Sequence, residues 1–291
     1  MIRVAVVGAA GQLGAAVVRV FGDADVTPLT RAHVDITDPQ AVRSVVVGLR
    51  PDAIVNCAAF NDVDGAEDRP TEALAVNAFA VRSLARAAEA CGAVLVHYGS
   101  DFVFDGETDR PYTETDAPAP RSTYASSKLL GEWLALDAPR GYVLRVESLF
   151  GCDLEWRGRR GTLDHIVDAL QEGREVRVFT DRVVSPSYIE DLAAATRFVV
   201  ERGIGGRLEP GLYHCVNSGH ATWHRVAQEA ARQLGVTPVF RTMVMADAAL
   251  RAPRPRYCAL DNGKLAAAGF RMPAWEDAMR RWLTMTRYIH G

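Results

Sequence analysis

The chain has 291 residues, 48% of them hydrophobic and 24% charged, and a formal charge of −3 at pH 7. That balance excludes disorder, and with no basic run it argues against nucleic acid or an anionic membrane surface as the main partner. The chain is long enough for one large domain or one and a half, and a small molecule is the expected partner.

The opening stretch "MIRVAVVGAAGQLG" has no basic leader or cleavage site and breaks at glycine, so it reads as a strand and not a signal peptide. No window approaches a membrane span of ~18 uninterrupted apolar residues. "IRVAVV" (2–7) runs into a glycine turn and the helix "QLGAAVVRVF". The second strand, "DVTPL", ends in Thr30-Arg31, and Asp38-Pro39 starts the next helix. "DAIVNCAA" (52–59), "AVLVHYGS" (93–100) after the helical stretch 70–91, and "GYVLRVES" (141–148) continue the alternation. Short, continuously apolar strands between helices are what a parallel sheet covered on both faces requires. The fold class is therefore α/β, a doubly wound parallel sheet of Rossmann-like type.

Beyond residue 150 the pattern loosens into helices near 162–172, 190–202, 222–234 and 274–285, with strand-like "EVRVF" (175–179) and "GLYHCVN" (211–217). The expected division is a dinucleotide-binding domain over 1–150 and a mainly substrate-binding, smaller C-terminal α/β region over 151–291. A segment at about 183–205 is expected to return to the first domain. Five cysteines (Cys57, Cys91, Cys152, Cys215, Cys258) are scattered and never form a C-x-x-C pair. Neither a disulfide framework nor zinc is indicated, and a reducing cytoplasm fits best.

Gly8, Gly11 and Gly14 sit between the first strand and first helix, where glycine permits a tight turn, close approach to a pyrophosphate and close helix–strand packing. The second strand lacks the terminal acidic residue that would hold a ribose 2′-hydroxyl. Arg31 stands there instead and suits the 2′-phosphate of NADP. Asp35 and Ile36 follow, either flanking the adenine or capping the next helix.

Of the 33 basic residues only Lys128 and Lys264 are lysine. With eight tyrosines in the chain, a Tyr-x-x-x-Lys match is expected about 0.05 times by chance, so Tyr124 and Lys128 on one helix face stand out. An ammonium beside a phenol favours its ionised form, which fits Tyr124 to move a proton at neutral pH. Ser100, at a strand end on the same edge of the sheet, supplies a second hydroxyl for a carbonyl oxygen. His97 reads as structural, and His214, His220 and His224 lack an acidic partner at ligand spacing, so no metal site is expected. Arg251, Arg254 and Arg256 either grip a nucleotide diphosphate or form a solvated loop.

Taken together, "GAAGQLG", "VNCAAFNDVDGAE", "HYGSDFVFDG", "YASSKLLGE" and "GLYHCVNSGHATWHRVA" resemble the extended short-chain dehydrogenase/reductases, specifically the dTDP-4-dehydrorhamnose reductase group. The resemblance runs through nearly the whole chain, including "RPRYCALDNGKL". It implies that Ser100, Tyr124 and Lys128 are catalytic in NAD(P)H-dependent reduction of the C4 ketone of a nucleotide-linked deoxysugar, with NADP(H) favoured and NAD(H) the alternative. It further implies that Gly11, Gln12, Leu13, Asp35, Ile36, Ala58, Ala59 and Tyr98 line the cofactor and that Asp101 assists at the substrate. The family usually shows Thr-Asp-Tyr where this chain has Ser100-Asp101-Phe102. It shows R-T-S-W-V-Y-G where this chain has "RVESLFG", which puts Ser148 at the tryptophan's place and Glu147 beside it. Losing an aromatic platform and gaining a carboxyl is expected to change which sugar fits. Other readings are a nucleotide-sugar epimerase of the same superfamily and a non-catalytic NADP-binding regulatory subunit like that of methionine adenosyltransferase. A homodimer is compatible with each.

Overall fold

The structure, a computed structural model, describes residues 1–152, 158 and 160–286. The apolar runs of the first half become β1 (Arg3–Val7), β2 (Asp25–Leu29), β3 (Ala53–Asn56), β4 (Val94–Ser100) and β5 (Gly141–Val146). β3, β4 and β5 are buried along their whole length, as strands covered on both faces must be. Helices alternate with them: α1 (Gln12–Val20), α2 (Pro39–Val42), α3 (Val63–Asp68), α4 (Pro70–Leu74), α5 (Ala80–Cys91) and α6 (Thr123–Leu136). Asp38 starts α2 as expected, its side chain accepting from the backbone N–H of Gln40 and Ala41, with Pro39 in the first turn.

Past β5 come β6 (Leu149–Phe150), α7 (Thr162–Gln171), β7 (Val176–Phe179), β8 (Val183–Val184), β9 (Ser187–Tyr188), α8 (Ile189–Ile204) and β10 (Gly211–His214). β11 (Ala221–Thr222), α9 (Trp223–Leu234), β12 (Phe240–Met243), α10 (Gly263–Ala267) and α11 (Trp275–Met285) follow. The main sheet has six parallel strands in the order β10-β5-β4-β3-β1-β2. Strand order reverses between β1 and β3, and the crevice beyond their carboxyl ends is where such sheets place a ligand.

The sequence assigns residues 211–217 to the smaller region, whereas Gly211–His214 forms the edge strand beside β5. Four residues carry no periodicity that names their partner; α8 sets it by packing on α1 and delivering the chain to that edge. β7 pairs with β12 and β8 with β11, and α7 packs on α9. One apolar core runs from Val4 of the sheet through Leu192 of α8 to the fully buried Trp282 of α11, so the two parts of the chain share their interior. Among the described residues, no helix is long and apolar enough to cross a membrane.

Candidate active site

The glycine turn is held by contacts that a side chain would break. Gly8 has φ 77°, and a Cβ there would lie 2.6 Å from the backbone N of Ala58; one on Gly14 would lie 2.3 Å from the carbonyl O of Gly8. The first contact fixes the turn against the loop after β3, and the second brings α1 down onto β1. Gly11, the N-cap of α1, gives the helix no side-chain cap, so its first N–H groups are left for an anion. The residues present therefore fit the pyrophosphate of a dinucleotide.

Next to this turn a cleft of about 480 Å³ is lined by Gly11, Gln12, Leu13, Gly14, Ala59 and Tyr98 on one side. Ser100, Asp101, Tyr124, Lys128, Glu147 and Ser148 line the other. A wider hollow of about 910 Å³ between α1, α8 and α11 contains none of the residues expected to be catalytic, and Arg19–Glu190 and Arg281–Asp191 ion pairs take up charges at its wall. The smaller cleft is the one with convergent chemistry.

Tyr124 stands in the first turn of α6, 8% exposed, and meets Phe102 edge to face at 5.5 Å. Two anchors set that turn. Ser122 caps it by accepting from Ala125 N at 3.2 Å, and Thr123 donates to the Glu67 carboxylate through both N and Oγ1. One turn on, Lys128 is 3% exposed and its Nζ donates to the Tyr98 carbonyl at 2.6 Å. Burial pulls its pKa down to about 8, against the opposing pull of Glu132, which brings an amine within reach of neutral pH. Ser100 ends β4, where Oγ donates to Asp101 Oδ1 at 3.1 Å and accepts from Phe102 N at 3.2 Å.

Beneath these groups Glu132 receives the Arg145 guanidinium in three contacts of 2.7 to 3.1 Å, with both side chains buried. Glu132 also accepts from Ser100 N at 3.3 Å. This pair was not among the expected site residues, although Tyr124, Lys128 and Glu132 recur every four residues in the sequence. Cys57, Asn61 and Arg160 likewise line the cleft without having been expected there.

Glu147 and Ser148 sit at the floor, Glu147 buried with Oε2 accepting from Ser185 N at 2.8 Å. Ser148 has φ 46°, left-handed backbone that a non-glycine residue adopts at a cost. Both consecutive residues line the one cleft.

Several expected residues lie apart from the cleft lining. Gly8 and Ala58 pack on each other behind it. Arg31 is exposed just past β2. Asp35 accepts from Thr37 N and Oγ1 at 3.0 and 2.7 Å, which lowers its pKa; it closes a turn, and Asp38 rather than Asp35 caps α2. Ile36 packs into the core on that side of the sheet. The Arg254 guanidinium is engaged by Asp64 at 2.9 and 2.8 Å, and Arg251 pairs with Asp68, so these arginines tie residues 251–254 to α3. His97 is buried, 3.1 Å from the Asn56 side chain, and burial and Lys128 hold it neutral. Burial likewise drives His214 down to about 3. Among the described residues one cluster has metal-ligand types at close range, Asp101, Glu147 and Cys258, with their atoms within 4.8 Å of one another.

A doubly wound parallel sheet with a dinucleotide turn at its switch point and a serine, tyrosine and lysine at the neighbouring strand and helix ends defines an oxidoreductase of the extended short-chain dehydrogenase/reductase class. Within that class, the chain belongs to the family described as RmlD substrate binding domain, whose model matches residues 2–288. It is 36% identical over 283 residues to a dTDP-4-dehydrorhamnose reductase of Streptomyces griseus, covering 95% of this chain and 89% of the relative. It is also 36% identical over 287 residues to a probable dTDP-4,6-dihydroxy-2-methyloxan-3-one 4-ketoreductase of Streptomyces antibioticus, covering 94% and 92% of the two chains. Among solved structures, dTDP-4-dehydrorhamnose reductase of Bacillus anthracis in complex with NADP superposes with TM-score 0.90 at 29% identity, covering 98% of this chain and 100% of that one.

Proposed function

We propose that this chain reduces the C4 ketone of a nucleotide-linked deoxysugar, with NADP(H) favoured as cofactor and NAD(H) usable. The observation that carries the proposal is the shared cleft of Ser100, Tyr124 and Lys128 beside the glycine turn. The family membership and the ketoreductase relatives support the same reading. The uncapped N-terminus of α1 receives the cofactor phosphates, and Arg31, past the end of β2, meets the 2′-phosphate. When bound, the nicotinamide supplies the hydride.

The residues of this chain do the rest. The Ser100 and Tyr124 hydroxyls hold the ketone oxygen, and Tyr124 gives it a proton as negative charge develops there. Lys128, fixed by the Tyr98 carbonyl, keeps a positive charge near the phenol and so eases its ionisation. Asp101, Glu147 and Ser148 bound the sugar from below. The Phe102–Tyr124 contact and the buried floor exclude water from the reacting oxygen.

The test is NADPH and NADH consumption against a panel of dTDP- and other nucleotide-linked 4-ketosugars. Tyr124→Phe should lower kcat by about 10²- to 10⁴-fold while leaving NADPH affinity in place. Unchanged turnover by that variant, or no turnover of any ketosugar by the native enzyme, sinks the reading.

A further inference from the structure

Asp101 and Glu147 meet at the cleft floor from separate parts of the chain, one residue past β4 and one past β5. Both are buried, and each has one oxygen satisfied: Asp101 Oδ1 by the Ser100 hydroxyl at 3.1 Å and Glu147 Oε2 by Ser185 N at 2.8 Å. The other two oxygens, Asp101 Oδ2 and Glu147 Oε1, have no hydrogen-bond partner at ordinary distance among the described residues, with the Cys258 thiol near Asp101 and the Ser148 hydroxyl near Glu147 as the weak donors of the site. Among the described residues the cation that acts on both is Arg182, whose guanidinium lies 5.5 Å over the Phe102 ring with Nη2 3.8 Å from Cys258 Sγ, while Lys128 and Arg160 line the same cleft. Tyr257, Cys258 and the Ser148 hydroxyl complete the titratable and polar surroundings.

Two ionised carboxylates against one guanidinium would leave a net negative charge and two empty acceptors in a dry site, which is costly. One proton between the two orphaned oxygens removes both defects. A metal ion fits less well, because Arg182 repels a cation and burial keeps Cys258 a neutral thiol.

We propose that Asp101 and Glu147 share a single proton at neutral pH, and that Glu147 is thereby the positioning residue that aims the Ser100 hydroxyl. The inference rests on the proposed role of Ser100 at the ketone oxygen. When the proton lies on Asp101, Oδ1 becomes a weak acceptor and the Ser100 O–H turns to the ketone. When both carboxyls are ionised, Oδ1 keeps that O–H for itself. The proton stays within the pair and is not consumed. Burial raises both groups, Asp101 to about 6 against the pull of Arg182, and Glu147 well above its ordinary value with the Asp101 charge adding to it, so Glu147 holds the proton in the resting pair and passes it to Asp101 as the Ser100 O–H turns to the ketone.

Two measurements on native enzyme and Glu147→Gln test this. Infrared difference spectra across pH should show, in native protein at neutral pH, the carbonyl stretch of a protonated carboxylic acid that the Gln variant lacks. In the pH profile of kcat, the variant should lose about tenfold or more at pH 7 and regain activity towards acid pH as Asp101 takes up its own proton, with the KM for NADPH unmoved. The inference is overturned if native protein shows no acid band that the substitution removes, or if the variant keeps the native pH profile. If no ketosugar is reduced by native enzyme, the proposed function has failed instead, and the infrared band still decides the shared proton.

Discussion

The two halves of the cleft are built from different material. The half proposed for the cofactor is backbone: glycines at contact distance from other main chain, small residues such as Ala59, and an uncapped helix end. The half proposed for the sugar is side chain, with buried titratable groups, two carboxyl oxygens without a hydrogen-bond partner among the described residues, and a strained backbone at Ser148. A backbone site has few ways to vary and recognises what is constant in a dinucleotide. A side-chain site can change one residue at a time, and it is there that Ser100-Asp101-Phe102 and "RVESLFG" differ from the pattern expected of the family.

Substitutions should divide along that line. Gly14→Val, whose Cβ would overlap the Gly8 carbonyl, is expected to cost about 3 kcal/mol of NADPH binding, roughly a hundredfold in Kd by calorimetry. If it binds NADPH normally, the backbone account of that half is wrong. Glu132→Gln strands Arg145 in the buried wall behind Ser100 and should lower the unfolding free energy in urea by about 3–5 kcal/mol, because the sugar half stores its stability in paired charge.

Lys128 gives a pH signature. Its folded pKa, about 8, lies below its ordinary 10.5, so between those values the unfolded chain binds more protons and stability rises with pH. In Lys128→Met, unfolding free energies measured across that window should lose this rise; an unchanged slope means that the amine is not desolvated. The smallest effect is expected at Ser148→Gly, which relieves the left-handed backbone and should stabilise the fold by about 1 kcal/mol, with a changed KM for the sugar and not for NADPH.

The same division explains what the sequence disclosed. Gly8, Gly11 and Gly14, the apolar strands and the Asp38-Pro39 helix start are local signals, because short-range backbone sterics dictate them. Ser100, Tyr124 and Lys128 could be picked out as residue types at the strand and helix ends of one sheet edge. Contacts between distant segments were out of reach: Arg254 with Asp64, Glu147 with Ser185, and β10 with β5 each depend on how the later segments cross back over the sheet. Glu132 was visible four residues after Lys128, but nothing local says that Arg145 would be buried against it.

Tyr98 bears on how the enzyme is made. Its carbonyl holds Lys128, and its hydroxyl bonds to Thr196 on α8. A nascent chain that has left the ribosome only as far as β5 already contains the serine, tyrosine and lysine, yet the sheet face that seats Tyr98 carries only α1 until α8 follows. The geometry proposed for catalysis is therefore completed late in synthesis, and until α8 docks the emerging half presents a partly covered apolar sheet face to chaperones.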